Sequence, residues 1–229
     1  MKKVLICLLV LGLLCGCSGA AAPETEPVTE PAATAAATEP RREFSLGTVE
    51  NNVYTNSYAG YGCEFSDAWS FADAQTLQQL PEDVQSLIEG TEMGDVLPGY
   101  AQIFDLAAEN VEAYLAVNVV YTALSEGEQE AYAAMTPEQT IDLTLENRDL
   151  MEESYARAGM TVESIEKCRV TFLGQPQWAI RTLASSGEIP ICMVQVMDYT
   201  QGSYGVTLTA TSYLEDNTQE VLDLFYAVG

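Results

Sequence analysis

The sequence predicts an α+β domain: an antiparallel β-sheet with helices packed on it. Three observations carry this. Strand-like apolar runs recur from residue 100 to residue 212 and are joined by links of hairpin length, which connect antiparallel neighbours. Helical spacing appears in three separate places, near residues 73–90, 136–158 and 217–228. The resulting order, β-β-α-β-β-α-β-β-β-β-α, does not alternate strand and helix one for one, so it calls for helices gathered on a sheet rather than a parallel doubly wound fold.

Residues 53–58 read as a first strand, Ala59-Gly60 as a tight turn, and residues 61–65 as the hairpin partner. Trp69 and Phe71 follow and are expected to plug one edge of the core. Asp73 can cap a helix in which Leu77, Leu80, Val84, Leu87 and Ile88 keep helical spacing, with Pro81 breaking or kinking it and Gly90 ending it. Residues 94–99 read as loop. Residues 100–107 and 112–122 are the next strands. In the second, Leu115, Val117, Val119 and Tyr121 alternate with Tyr114, Ala116, Asn118 and Val120, which reads as one well-buried face.

Thr136-Pro137-Glu138-Gln139 is a capping box with Pro at the first helical position. It opens a helix expected to run to about Ala158 and to end at Gly159, although Arg148 falls within its apolar stripe. Four strands are expected at 161–173, 177–184, 189–199 and 203–212, separated by Gly174-Gln175-Pro176, Ser185-Ser186-Gly187 and Gln201-Gly202. Thr207, Thr209 and Thr211 alternate with Val206, Leu208 and Ala210, so one side of the last strand is expected to be wet, or else to face a ligand. Asn217 with Glu220 is expected to cap a final helix with Val221, Leu224, Phe225 and Val228 on its inner stripe.

The order, and the stretch from Val53-Tyr54-Thr55-Asn56 through Tyr61-Gly62-Cys63-Glu64-Phe65 to Trp69, resemble the PsbP-like family and the small cell-surface lipoproteins of Firmicutes that share its fold. Relatives commonly read Tyr-x-Asn, an apolar-Gly-apolar hairpin, Phe, then Pro-x-x-Trp. Here Ser66-Asp67 stand where the Pro would be. The resemblance implies an accessory or binding protein and supplies no catalytic residues.

The N-terminus points to export. Met1-Lys2-Lys3 is a positive start, and Val4 to Leu14 is an apolar run of about eleven residues, shorter than the roughly 17–25 needed to span a bilayer. Leu14-Cys15-Gly16-Cys17 resembles the lipobox of bacterial lipoproteins, with Cys17 as the lipidated residue. An ordinary secretory signal cleaved near Ala20 is the alternative. A diacylglyceryl group on Cys17 would hold the protein at the membrane stably, since two chains suffice where one is marginal. The expected organisation is therefore a signal at 1–16, the lipidated Cys and a tether at 17–43, and one α+β domain at 44–229. The tether is built of Ala, Thr, Glu and Pro, with Thr-Glu-Pro at Thr25, Thr29 and Thr38. It has almost nothing to bury and is expected to stay extended, about 80 Å if fully stretched.

Charge and composition exclude several functions. Asp and Glu number 34 against 9 Lys and Arg, a formal charge of −25 that becomes −27 once Lys2 and Lys3 leave with the signal. Such a surface repels nucleic acid and anionic lipid head groups, so no nucleic-acid partner is expected. The chain contains 0 His, which removes the commonest general base, the Ser-His-Asp arrangement and most zinc sites. Glu126-Gly127-Glu128-Gln129-Glu130 reads as an acidic loop lacking the ligand spacing of a calcium loop. No metal or cofactor is expected. Cys63, Cys168 and Cys192 fall in the domain, each in an apolar run, and are expected to be inert core thiols, with a Cys168–Cys192 disulfide as the alternative. Asp95, Asp105 and Glu109 show no partner.

The leading reading is a membrane-anchored extracytoplasmic lipoprotein whose non-enzymatic domain binds or assists an extracytoplasmic protein or glycan. The alternative is a carboxylate-dependent hydrolase acting on cell-wall glycan, which needs two acids about 5–10 Å apart in a cleft. The binding surface is expected at the first hairpin, around Tyr54, Tyr58, Tyr61 and Trp69, where aromatics concentrate and Gly60 and Gly62 leave room for a ligand. The competing view places the same rings in the core.

Overall fold

The computed structural model describes residues 43–88, 102–199 and 202–228, without the side chains of residues 83–88. Cys17, most of the tether, Asp95 and Tyr100 lie outside the described residues. In chain order the elements are β1 (Thr48–Glu50), β2 (Val53–Asn56), β3 (Tyr61–Glu64), β4 (Ser70–Phe71), α1 (Ala74–Ile88), β5 (Gln102–Asn110) and β6 (Leu115–Ala123). There follow α2 (Glu126–Ala133), α3 (Pro137–Leu145), α4 (Arg148–Arg157), β7 (Thr161–Phe172), β8 (Gln175–Ser186), β9 (Ile189–Asp198), β10 (Tyr204–Tyr213), α5 (Thr218–Leu222) and β11 (Phe225–Ala227).

The strands form two antiparallel sheets, a large one in the order β4-β5-β6-β10-β9-β8-β7 and a small one in the order β1-β2-β3-β11. The large sheet is the middle layer of three. On one face it meets Leu80 of α1, Tyr132 of α2, Ile141 of α3, and Met151 and Tyr155 of α4. On the other it meets the small sheet and α5 through Tyr54, Cys63, Phe65, Val221 and Phe225. The fold is thus α+β with antiparallel sheets, as the sequence predicts.

A middle sheet has no wet face, and this corrects two expectations. β6 is buried along both faces through Thr122 rather than on one. Thr207, Thr209 and Thr211 are buried too, because the helical layer lies over the side that period-two alternation marks as polar. The Thr207 hydroxyl meets the Tyr199 hydroxyl at 3.0 Å. Thr209 stands between Asn118 and Gln195 in the sheet register, so a polar row crosses β6, β10 and β9 beneath the helices.

The helices also differ from expectation. The capping box at Thr136 forms, with the Gln139 side chain accepting from the Thr136 N–H at 2.8 Å, but the helix it opens stops at Leu145 and a second one, α4, begins at Arg148. The break turns Arg148 outward and brings Met151, Ser154 and Tyr155 onto the sheet, resolving the conflict that Arg148 posed within a single continuous stripe. The supposed acidic loop at 126–130 is helix α2. Ser125-Glu126-Gly127-Glu128 is itself a capping box, the Glu128 carboxylate accepting from the Ser125 N–H at 2.8 Å. Asp73 caps α1 as expected, accepting from the Thr76 N–H at 2.8 Å, and α1 runs through Pro81 without a break.

At the C-terminus, the expected helix is only the five residues of α5, and Asn217 gives it no side-chain cap. Phe225–Ala227 instead pair with β3, whose outer edge would otherwise present unpaired backbone groups. Phe225 therefore reaches the core as a strand residue. β1 was not foreseen; it joins β2 through Asn51-Asn52, both at positive φ (50° and 63°), the conformation a two-residue hairpin turn demands and Asn tolerates.

The three domain cysteines are free. Cys63 and Cys192 are buried, and burial pushes each thiol up to about 12. Cys168 is half-buried and also raised by burial. It sits on β7 and Cys192 on β9, with β8 between them. Strands two places apart lie roughly 10 Å from one another, beyond disulfide reach.

Candidate functional site

The aromatic stretch does assemble around a polar group, but in the interior. β5 carries a register shift between Phe104 and Leu106, and Asp105 sits at that irregularity. Its carboxylate lies between the two sheets. Oδ1 accepts the Gly47 N–H at 2.8 Å. Oδ2 accepts the Tyr54 hydroxyl at 2.6 Å and the Asn56 side-chain N–H at 2.6 Å. Asn56 in turn accepts the Ala59 N–H through Oδ1 at 2.8 Å, tying the β2–β3 turn to the same centre. Gly47 has no room for a side chain, because a Cβ there would strike the Tyr54 ring and come within 3.0 Å of Asp105.

The electrostatics follow from enclosure. Burial pushes the Asp105 carboxyl above the usual carboxylate range, against the three donors, which pull it down. Burial is also the first cause holding the Tyr54, Tyr61 and Tyr121 hydroxyls well above the ordinary phenol range, with Asp105 adding to each. Among the described residues, the buried Tyr61 hydroxyl has no hydrogen-bond partner.

A second aromatic group adjoins the first. Phe44 stacks on Tyr204 at 3.9 Å between ring centroids and meets Tyr58 and Tyr121 edge-on at 5.1 and 5.2 Å. The Tyr58 hydroxyl donates to the Tyr204 carbonyl at 3.0 Å and accepts the Tyr204 N–H at 3.3 Å. The segment 44–47 is therefore held twice, by rings at Phe44 and by Asp105 at Gly47.

This corrects the expected binding surface. Tyr54, Tyr58, Tyr61 and Trp69 are all buried, at 0%, 1%, 4% and 8% exposure. All four belong to the cluster between the sheets, where Trp69 meets Phe65 at 5.0 Å between ring centroids. Nor is there open space at Gly62, where a Cβ would come within 3.0 Å of the Tyr226 ring. The physical reason is the small sheet itself: its inward face needs large apolar side chains, and the tyrosine rings supply them. Sequence reasoning missed Asp105, Asn56, Gly47, Phe44, Tyr121 and Tyr204 as one group. The available signal was a lone Asp inside the apolar run Ile103-Phe104-Asp105-Leu106-Ala107, a residue type that is almost never buried unless paired.

Both Asp105 oxygens are engaged by donors from the protein, leaving it poorly placed to take a proton from a substrate. Among the described residues, no group of three or more Cys, Asp or Glu comes together in a way that could hold a metal ion. Among the described residues, no helix is long and apolar enough to cross a membrane.

No family model matches the sequence. No curated protein matches it either. Among solved structures, the chain is similar to the solution structure of cyanobacterial PsbP (CyanoP) from Synechocystis sp. PCC 6803. The identity is 11%, the match covers 86% of this chain and 99% of that chain, and the TM-score is 0.42.

Proposed function

We propose that the chain is a membrane-anchored extracytoplasmic lipoprotein whose α+β domain binds or assists a partner and performs no chemistry of its own. The observation that carries the non-enzymatic reading is Asp105: the buried acid in the most enzyme-like setting has both oxygens taken by Gly47, Tyr54 and Asn56. The anchoring rests on Leu14-Cys15-Gly16-Cys17 and the short apolar run before it. The two connect at the domain's entry, where Phe44 and Gly47 fasten the end of the tether to the core.

Fractionation tests the anchor. Cys17→Ser is expected to move the protein from the membrane fraction to the soluble one, and unchanged membrane retention overturns the lipid assignment. Incubation with cell-wall glycan tests the absence of chemistry. Release of reducing ends by the wild-type chain that Asp105→Asn abolishes would make it a hydrolase.

A further inference from the structure

Four large apolar side chains are held in solvent at one end of the middle sheet. Val111 and Tyr114 in the β5–β6 turn are 59% and 53% exposed, Leu214 just after β10 is 50% exposed, and Ile189 at the start of β9 is 50% exposed. They come from three separate segments that the sheet places side by side. The Tyr213 N–H donates to the Tyr114 carbonyl at 3.0 Å, and the Leu214 N–H donates to the Pro190 carbonyl at 3.0 Å. The register agrees, with Leu115 opposite Ser212 and Ile191 opposite Tyr213.

Two of these residues also sit in backbone that their side chains disfavour. Tyr114 has φ 58° and Leu214 has φ 77°, the left-handed region where Gly or Asn is the ordinary choice and a bulky residue is an outlier. A turn selected for stability alone would carry Gly there. Strain retained at an exposed apolar position suggests that the side chain is wanted for something outside the molecule.

We propose that this end of the sheet is a docking surface for a partner protein that offers an apolar recess edged with Lys and Arg. The charge around the patch selects that chemistry. Glu112, Glu188 and Glu215 are all exposed and immediately adjoin Val111, Ile189 and Leu214 in sequence, so the apolar centre has an acidic rim. The rim disfavours an anionic lipid surface, and it disfavours a second copy of the chain, which would bring the same acids face to face. The position suits an outward role. Phe44, where the tether enters, stacks on Tyr204 at the opposite end of β10, and a ten-residue strand spans about 30 Å. That orientation rests on the anchoring proposed above; the surface itself does not.

The test uses the full-length chain with Cys17→Ser, so that lipid plays no part, and an amphipathic helical peptide of Leu and Lys as the probe, followed by fluorescence anisotropy. The double variant Tyr114→Gly, Leu214→Gly is expected to bind at least tenfold more weakly while melting at the same temperature or higher, because glycine relieves the left-handed backbone. A Leu/Gln peptide is expected to bind more weakly than the Leu/Lys one, and a Leu/Glu peptide weakest. Equal binding by wild type and double variant overturns the proposal, as does a lower melting temperature in the variant, which would make the patch structural. Wild-type self-association that the double variant abolishes overturns it in favour of a second copy. Binding to phosphatidylcholine vesicles that the variant abolishes overturns it in favour of lipid. Each of these results is independent of where the wild-type protein fractionates, so failure here and failure of the lipid anchor are distinguishable.

Discussion

Tyr54 concentrates the competing demands placed on single residues in this protein. Its ring is part of the core between the sheets, and its hydroxyl is one of three donors to Asp105. Tyr54→Ala removes both the packing and the donor and is expected to cost about 3–5 kcal/mol, read as the shift in chemical denaturation. An exposed binding residue would lose little, so a loss below about 1 kcal/mol would return Tyr54 to the surface. Asp105 itself makes stability depend on pH in an unusual sense. Burial raises its folded-state pKa above the unfolded value, so its contribution is fully present below about pH 4 and is lost as pH rises through the folded pKa. Asp105→Asn is expected to flatten that limb of the stability curve. It should also cost stability at every pH, because an amide cannot accept from Gly47, Tyr54 and Asn56 through both of its heavy atoms. A wild-type curve that rises with pH between about 4 and 7, with the rise removed by Asp105→Asn, would show that the donors outweigh burial.

Three of the helices, α1, α2 and α3, are fixed at their N-termini by side-chain caps. α2 is short and strongly acidic, and it exists because Ser125 and Glu128 cap each other's backbone groups. Glu128→Ala leaves the Ser125 N–H without its acceptor and is expected to cost about 1 kcal/mol, with Glu128→Gln closer to wild type. Equal losses in the two variants would assign the effect to charge rather than to the cap. The break between α3 and α4 follows from burial instead, since Asn147 gives α4 no side-chain cap. A single straight helix would drive Arg148 against the sheet, whereas two helices present Ile141 and Thr144 from one and Met151 and Tyr155 from the other. β11 shows how an edge can override helical periodicity: residues spaced for a helix face pair with β3 because an open edge nearby offers backbone hydrogen bonds.

At the scale of the molecule, charge works against packing. The chain carries 34 acidic residues against 9 basic ones, and among the described residues Lys167 pairs with Glu138 and Asp142 at 2.9 and 2.7 Å, Arg157 with Glu153 at 3.0 Å and Arg181 with Asp216 at 3.4 Å, which leaves most of the acids without a cation. Self-repulsion of the remaining acids destabilises the compact state and is screened by salt. The melting temperature is therefore expected to rise between about 10 mM and 0.3 M NaCl, where the Debye length falls from roughly 30 Å to below 10 Å. A flat response would mean that the acids are spaced widely enough not to feel one another. The three-layer arrangement offsets this repulsion by covering the middle sheet on both sides.

What the sequence determined by itself is local. The turn at Gly60, the capping box at Thr136 and the cap at Asp73 are written in a few adjacent residues, and each is found where those residues place it, whereas the turn expected over Gly174-Gln175-Pro176 falls on Leu173-Gly174, with Gln175 and Pro176 already in β8. The α+β class followed, because short links between strand runs leave little choice but antiparallel neighbours. The capping box at Ser125 is equally local, since Ser125 and Glu128 stand at the required spacing in the sequence. What only the tertiary structure decided is which faces are covered. Alternation along β10 shows that Thr207, Thr209 and Thr211 share a side, but not that helices lie over it. A tyrosine is as suited to a core as to a binding surface, so the burial of Tyr54, Tyr58 and Tyr61 depended on where β11 and the large sheet came to rest. The same holds for Asp105, whose three donors lie 49, 51 and 58 residues away in sequence, distances at which no local pattern reports a contact.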